Sequence, residues 1–239
     1  MDLSDVAAQD AAPGHVMPVI VVTNPKGGTG KSTTSLVLAT TLARHGATVT
    51  AFDCDPNRHL VAWKDGPSRN PVEIVGHADS TNIARMLKAE AARRQFVVAD
   101  LEGTASLMVA SAILAADLVI IPTQGSAMDA AQARRAISFI DDQAAAVGPR
   151  SYRVLFTRTK PGFATRDERV IRETLQAAGT PMFATDLAER AAYRSMFTYR
   201  QSLEELDPTA VNGLDKALEN ADALAAEVAD NLRAPRAAA

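Results

Sequence analysis

The stretch NPKGGTGKSTT, residues 24–34, follows an apolar run, VIVVT (residues 19–23), and leads into a helical pattern. Its glycines, Gly27, Gly28 and Gly30, let the backbone turn tightly enough for successive N–H groups to converge on phosphate oxygens. The start of the following helix adds the positive end of its dipole. Lys31 then neutralises the β and γ phosphates, and the Ser32 hydroxyl is a magnesium ligand. The residues predicted to hold the triphosphate are Gly27, Gly28, Thr29, Gly30, Lys31, Ser32 and Thr33. A dinucleotide-binding turn is excluded, because Thr33 stands where that pattern needs its third glycine. Where the ordinary phosphate loop begins with a glycine, this chain has Pro25, followed by a second lysine, Lys26. The glycine amides and Lys31 already fill the loop, so Lys26, on its outer lip, is predicted to reach the phosphates of a second subunit.

Outward from this loop, short apolar runs alternate with helical patterns: residues 47–53, 72–75, 96–100, 118–122 and 152–157, with a further short run near 181–184. Helices are expected over residues 32–45 and 127–146, and an alanine-rich helix with an apolar stripe of Leu214, Leu218, Leu224 and Val228 near the end. Nearly continuous apolar strands separated by helices predict an α/β fold: a single domain with a mostly parallel sheet flanked by helices on both faces. The expected boundaries are an N-terminal arm at residues 1–17, the domain at 18–232 and a flexible tail at 233–239. Ligands of such sheets sit beyond the carboxyl ends of the strands, and the polar residues of interest fall there.

Three carboxylates occupy such ends. Asp53 and Asp55, in FDCDPN, are two residues apart on an extended segment, so both can face the loop and its magnesium. The competing reading is a pair of aspartates capping a helix. Asp100 closes the run FVVAD at the position from which a carboxylate supports magnesium. Glu102 reads equally well as a general base or a solvated loop residue and is assigned no role.

Composition narrows the class further. At 239 residues and 47% hydrophobic, the chain can bury a substantial core. Its one cysteine, Cys54, excludes an internal disulfide and any cysteine-rich cluster. Neither a signal peptide nor a membrane span is read, and a cytoplasmic protein is expected. The net charge of −3 hides a division: residues 150–200 carry 10 basic and 5 acidic side chains, whereas the rest is acidic. Arg166, Arg169 and Arg172 recur every three residues on one predicted helix, and Arg190 and Arg194 lie one turn apart on another. Such a stripe, doubled in a dimer, suits nonspecific DNA phosphates; pairing with Asp167, Glu168, Glu173 and Glu189 is the alternative.

The run from Lys26 to Ser32 matches K-G-G-x-G-K-[ST], and here the chain resembles the ParA/MinD group of deviant Walker ATPases. The resemblance extends from about residue 19 to at least residue 207. It implies a P-loop fold, ATP and Mg2+ as ligands, and a homodimer sandwiching two nucleotides, with each Lys26 contacting the partner's nucleotide. It further implies that Asp55 orients the attacking water, that Asp53 supports the magnesium shell, and that hydrolysis is slow until a ParB-like or cargo adaptor protein stimulates it. In relatives an asparagine at the end of the strand in VLFTRTKP contacts the adenine; Thr157 holds that place here. The basic segment and the lack of a basic amphipathic terminal helix resemble the ParA side, which implies DNA binding in the ATP state, nucleoid association and no membrane partner. DCDPNRHLVAWKDG and VVADLEG resemble the VirC-type subgroup that assists conjugative DNA processing. Alternatives are that accessory role, or a MinD-like adaptor positioning a protein assembly without DNA.

Overall fold

The computed structural model describes residues 17–103, 106–145 and 147–233. Its strands are β1 (Val19–Val22), β2 (Val49–Cys54), β3 (Glu73–Val75), β4 (Phe96–Leu101), β5 (Leu118–Thr123), β6 (Tyr152–Thr159) and β7 (Leu187–Ala188). Between and after them run α1 (Lys31–Arg44), α2 (His59–Lys64), α3 (Ile83–Ala91), α4 (Leu107–Ala115), α5 (Ala127–Ala144), α6 (Arg166–Ala177), α7 (Ala191–Tyr199), a 3-10 turn (Leu203–Glu205) and α8 (Leu214–Arg233). The strands form one sheet in the order β3-β2-β4-β1-β5-β6-β7, each paired parallel to its neighbours.

Strand alternation divides the core in two. On β1, Ile20 and Val22 enter one cluster with α1, α2, α7 and α8, while Val19 and Val21 enter the other with α3, α4, α5 and α6. Both faces are therefore covered, which is why these strands read as unbroken apolar runs. Helix α1 is buried almost all round, from Thr34 to Ala43, because α8 packs over the side that the sheet does not cover. The apolar stripe of α8 supplies that cover through Leu224 and Val228, each fully buried side chain stabilising by about 1.5–3 kcal/mol. Trp63 is buried in the same cluster, its indole N–H donating to the Gln201 carbonyl at 3.1 Å.

One strand expectation fails. Over residues 181–184 only an isolated bridge, Val154 to Met182, forms, and β7 lies beyond it at Leu187–Ala188. Pro181 has no N–H to give a ladder, and the N–H groups of Ala184 and Thr185 donate instead to the Glu227 carboxylate at 2.7 and 2.8 Å. Of the expected arm and tail, residues 1–16 and 234–239 lie outside the described residues. Met17 donates its N–H to Ala91 O at 3.0 Å, and Arg233 ends α8. Helix α5 ends at Ala144, and Ala146, at the end of the expected range, is also outside the described residues.

Parallel strands leave all their carboxyl ends at one edge. The turns after β1, β2, β4, β5 and β6 meet there, around the central strand β1.

Candidate active site

The loop after β1 is held from three sides. Asn24, fully buried, donates from Nδ2 to Pro122 O at 2.7 Å and accepts the Lys26 N–H on Oδ1 at 2.9 Å. Gln124 Nε2 donates to Gly28 O at 2.7 Å, and Thr157 Oγ1 donates to Thr29 O at 2.7 Å. Gly28 and Gly30 take φ of 77° and 94°, the left-handed region that a side chain would strain. Helix α1 then starts at Lys31, with no side chain capping its first turn, so its N–H groups remain available to an anion. Lys31 is buried and donates from Nζ to Lys26 O at 3.2 Å. Gly103, after β4, closes over this lysine: a Cβ there would lie 3.0 Å from Pro25 O and 3.3 Å from Lys31 Nζ.

Beside the loop lie two buried carboxylates. Asp53 on β2 and Asp100 on β4 are register partners in adjacent strands. Asp100 accepts from Ser35 Oγ at 3.3 Å on Oδ1, while its buried Oδ2 has no hydrogen-bond partner among the described residues. Burial pushes its carboxyl up to about 7; the Asp53 and Asp55 charges add to this, and the Ser32 hydroxyl and Lys31 oppose it. A carboxylate oxygen buried without a partner is costly. Together with the Ser32 hydroxyl and Asp53, this oxygen makes a donor set suited to a hard divalent cation. Asp53 also serves structure, as the capping alternative anticipated: its Oδ2 accepts the Val61 N–H at 2.9 Å at the start of α2. Asp55, just beyond β2, is half-buried, and its Oδ1 accepts both the N–H and Nδ2 of Asn57, at 2.9 and 2.7 Å. Cys54, between the two aspartates, is a packing residue whose thiol is pushed up to about 12 by burial first and then by the Asp100 and Asp53 charges.

On the other side of the loop opens a cleft of about 390 Å³, bordered by Gly30, Thr33 and Thr157 and walled by Arg158, Tyr193 and Phe197. It adjoins the loop where a nucleoside would extend from bound phosphates. Thr157 lines it, but its hydroxyl is committed to the loop carbonyl. Arg158, at φ 55°, and the aromatic wall of α7 were not singled out from the sequence.

The five arginines of the basic segment do not form one stripe. Arg166 and Arg169 are exposed on α6. Arg172 faces inward, bound to Glu168 at 2.8 Å and Asp186 at 2.5 Å with its guanidinium 3.8 Å from the Phe156 ring centre. Arg190 and Arg194 border the cleft, and Arg194 is also paired with Glu189 at 3.2 Å. A three-residue recurrence turns about 300° around a helix, so successive members drift off one face.

Lys26 points neither into its own loop nor into open solvent. Its Nζ lies 2.8 Å from Oδ1 of Asp129, a buried carboxylate in the first turn of α5. Asp129 was also missed: the Ser126-to-Asp129 spacing reads as an ordinary helix start, and nothing local links it to a lysine 103 positions earlier.

The family model described as the CobQ/CobB/MinD/ParA nucleotide binding domain matches residues 20–232. Protein ParA of Rhizobium radiobacter is 37% identical over 212 residues, covering 87% of this chain and 95% of that protein. Protein virC1 of Rhizobium rhizogenes is 28% identical over 190 residues, 75% of this chain and 80% of that protein. Among solved structures, an ATP complex of a Cyanothece McdA variant shares the fold with a TM-score of 0.71 at 16% identity, over 90% of this chain and 97% of that one. With a phosphate loop, paired strand-end carboxylates and a nucleoside-sized cleft meeting at one edge of the sheet, this chain belongs to the CobQ/CobB/MinD/ParA nucleotide-binding family.

Proposed function

We propose that this chain is an ATP-driven switch: it binds ATP with magnesium, pairs with a second copy across the loop edge, and returns to single subunits on hydrolysis. The observation that carries this reading is the second lysine. Lys31 sits inside the loop, while Lys26, on the lip, leaves the loop complete without it. Two large apolar side chains at the same edge support it: Leu107 and Met128, in the first turns of α4 and α5, are each 70% exposed.

In this mechanism Lys31 leaves the Lys26 carbonyl for the β and γ phosphates, and the α1 N-terminus and loop amides hold the remaining oxygens. Ser32, Asp53 and Asp100 would hold magnesium, which would supply charge stabilisation for the transferring phosphoryl group. Asp55, with Oδ1 fixed by Asn57, presents its other oxygen to the attacking water. Phosphoryl transfer needs positioning and charge stabilisation above all, so Lys26 from the partner subunit completes the site. Hydrolysis by one subunit alone is slow on this account, and a ParB-like or cargo adaptor accelerates it. The ATP-bound dimer holds DNA nonspecifically, on the nucleoid in the cytoplasm, through the exposed Arg166 and Arg169, doubled by pairing. A second reading, a MinD-like adaptor that positions a protein assembly without DNA, is favoured by the internal engagement of Arg172 and the pairing of Arg194.

Sedimentation with a slowly hydrolysed ATP analogue tests the switch. Wild type is expected to be dimeric with the analogue and monomeric with ADP, and Lys26→Gln monomeric with both; monomers throughout would overturn the reading. DNA co-sedimentation then separates the two roles. Asp55→Ala should stay on DNA with ATP, and the double change Arg166→Glu, Arg169→Glu should release it while dimers persist. DNA binding that ignores nucleotide, or its absence in every state, rules out the DNA role.

A further inference from the structure

One wall of the nucleoside cleft rests on little backbone pairing. Strand β7 is two residues long and lies at the edge of the sheet. Its ladder with β6 has two pairs, Thr157 with Leu187 and Thr159 with Ala188, so Arg158 is an extra residue on β6 and bulges there with φ 55°. An edge strand leaves a row of backbone groups without a neighbouring strand. Leu187, Ala188, Glu189 and Arg190 nevertheless border the cleft, so the fit of anything held in it depends on where this strip stands. A side chain of α8 takes the place of the missing neighbour. Asn220 donates from Nδ2 to Asp186 O at 2.7 Å, and its Oδ1 accepts the Ala188 N–H at 3.0 Å. A further parallel strand would bond the same two groups, a carbonyl and the N–H two residues on, so this one amide stands in for one residue of such a strand. The Tyr193 hydroxyl lies 3.0 Å from the same Oδ1 and 3.1 Å from Ala217 O, and Tyr193 also lines the cleft. Strand strip and α7 are thus tied at a single point.

We propose that Asn220 is a positioning residue for the nucleotide: it fixes the Leu187–Arg190 strip and Tyr193 against each other, so that α8 sets the grip on base and sugar while the loop after β1 sets the grip on the phosphates. This inference rests on the ATP binding proposed above, with the nucleoside in the cleft. Asn220 touches neither base nor phosphate on this account and acts through the wall it holds. The two grips are built from different parts of the chain, and a change at Asn220 reaches only one of them.

Asn220→Ala tests the proposal, with two ligands titrated in magnesium: ATP, and inorganic tripolyphosphate, which has the phosphates and no nucleoside. Two backbone hydrogen bonds of this exposure correspond to about a factor of ten, so the Kd for ATP is expected to rise about tenfold, and that for ADP by the same factor, while tripolyphosphate binds as it does to wild type. A variant that binds ATP as tightly as wild type overturns the inference and leaves the switch standing. So does one that loses ATP and tripolyphosphate by the same factor, because that marks a general loss of structure rather than of the wall. If the wild type binds neither ligand, the nucleotide reading itself falls. Should Asn220→Ala not fold, hydrogen exchange in the wild type decides: ATP should slow exchange of the Ala188 N–H and tripolyphosphate leave it as it was, and a rate that ATP does not change overturns the proposal.

Discussion

Thr157 shows how a single residue can do a different job from the one its place in the chain suggests. At the end of a central strand, it stands where a base contact was expected, yet its hydroxyl, in a side chain only 2% exposed, supports the loop at Thr29 O. Replacing it with valine keeps the shape but leaves that carbonyl without its donor. Thr157→Val is expected to lower stability by about 1 kcal/mol, a fall in melting temperature of roughly 2–4 °C, and to weaken nucleotide binding several-fold. Calorimetric unfolding and a fluorescent-nucleotide titration check both. The places of Lys31 and Ser32 at the loop-to-helix turn, and of Asp100 at the end of an apolar strand, were legible from sequence because local spacing and periodicity set them. Asp129, Arg158 and Tyr193 were not, because each gains its role from a segment that only folding brings near.

At the scale of elements, strands with unbroken apolar runs were readable to within a residue or two, and the one misplaced strand pairs with β6 only around Met182, the Ala184 and Thr185 N–H groups going to a side chain from α8. The 3-10 turn is a comparable case of long-range tying. Glu205 closes a capping box with Ser202 and also accepts from Ser68 Oγ at 2.6 Å and from the Arg69 N–H, fastening the loop before β3 to the approach to α8. Although partial burial alone would raise its carboxyl, the bonds from Ser68, Ser202 and Arg69 hold it below the ordinary glutamate value of 4.5. A carboxyl depressed in the folded state stabilises above its unfolded value, and that contribution is lost as pH falls through the lower folded value. Glu205→Gln is therefore expected to cost about 1 kcal/mol at pH 7, allowing for partial exposure, with the gap to wild type closing below about pH 4.5. Urea unfolding of both proteins across that range measures it.

For the whole molecule, the sheet edge gathers oxygen donors and positive groups that lie far apart in the chain. If Asp100 holds magnesium, its two states should differ in global stability. Nucleotide with magnesium at a hundredfold its dissociation constant adds about 2.7 kcal/mol, and chelation should remove the metal's share of that gain. Asp100→Asn should lose the magnesium increment, yet without metal unfold no more easily than wild type, because it no longer buries a carboxylate charge with one oxygen, Oδ2, lacking a hydrogen-bond partner. Thermal unfolding with and without chelator distinguishes these outcomes. By itself the sequence determined the doubly covered parallel sheet, the phosphate loop and the acids beside it, since apolar periodicity and short-range spacing are local properties. Only the tertiary structure decided which arginines are free, what lines the nucleoside cleft and where Lys26 rests. Those depend on pairs such as Lys26 and Asp129, whose meeting is set by the order of strands in the sheet and leaves no mark on local spacing.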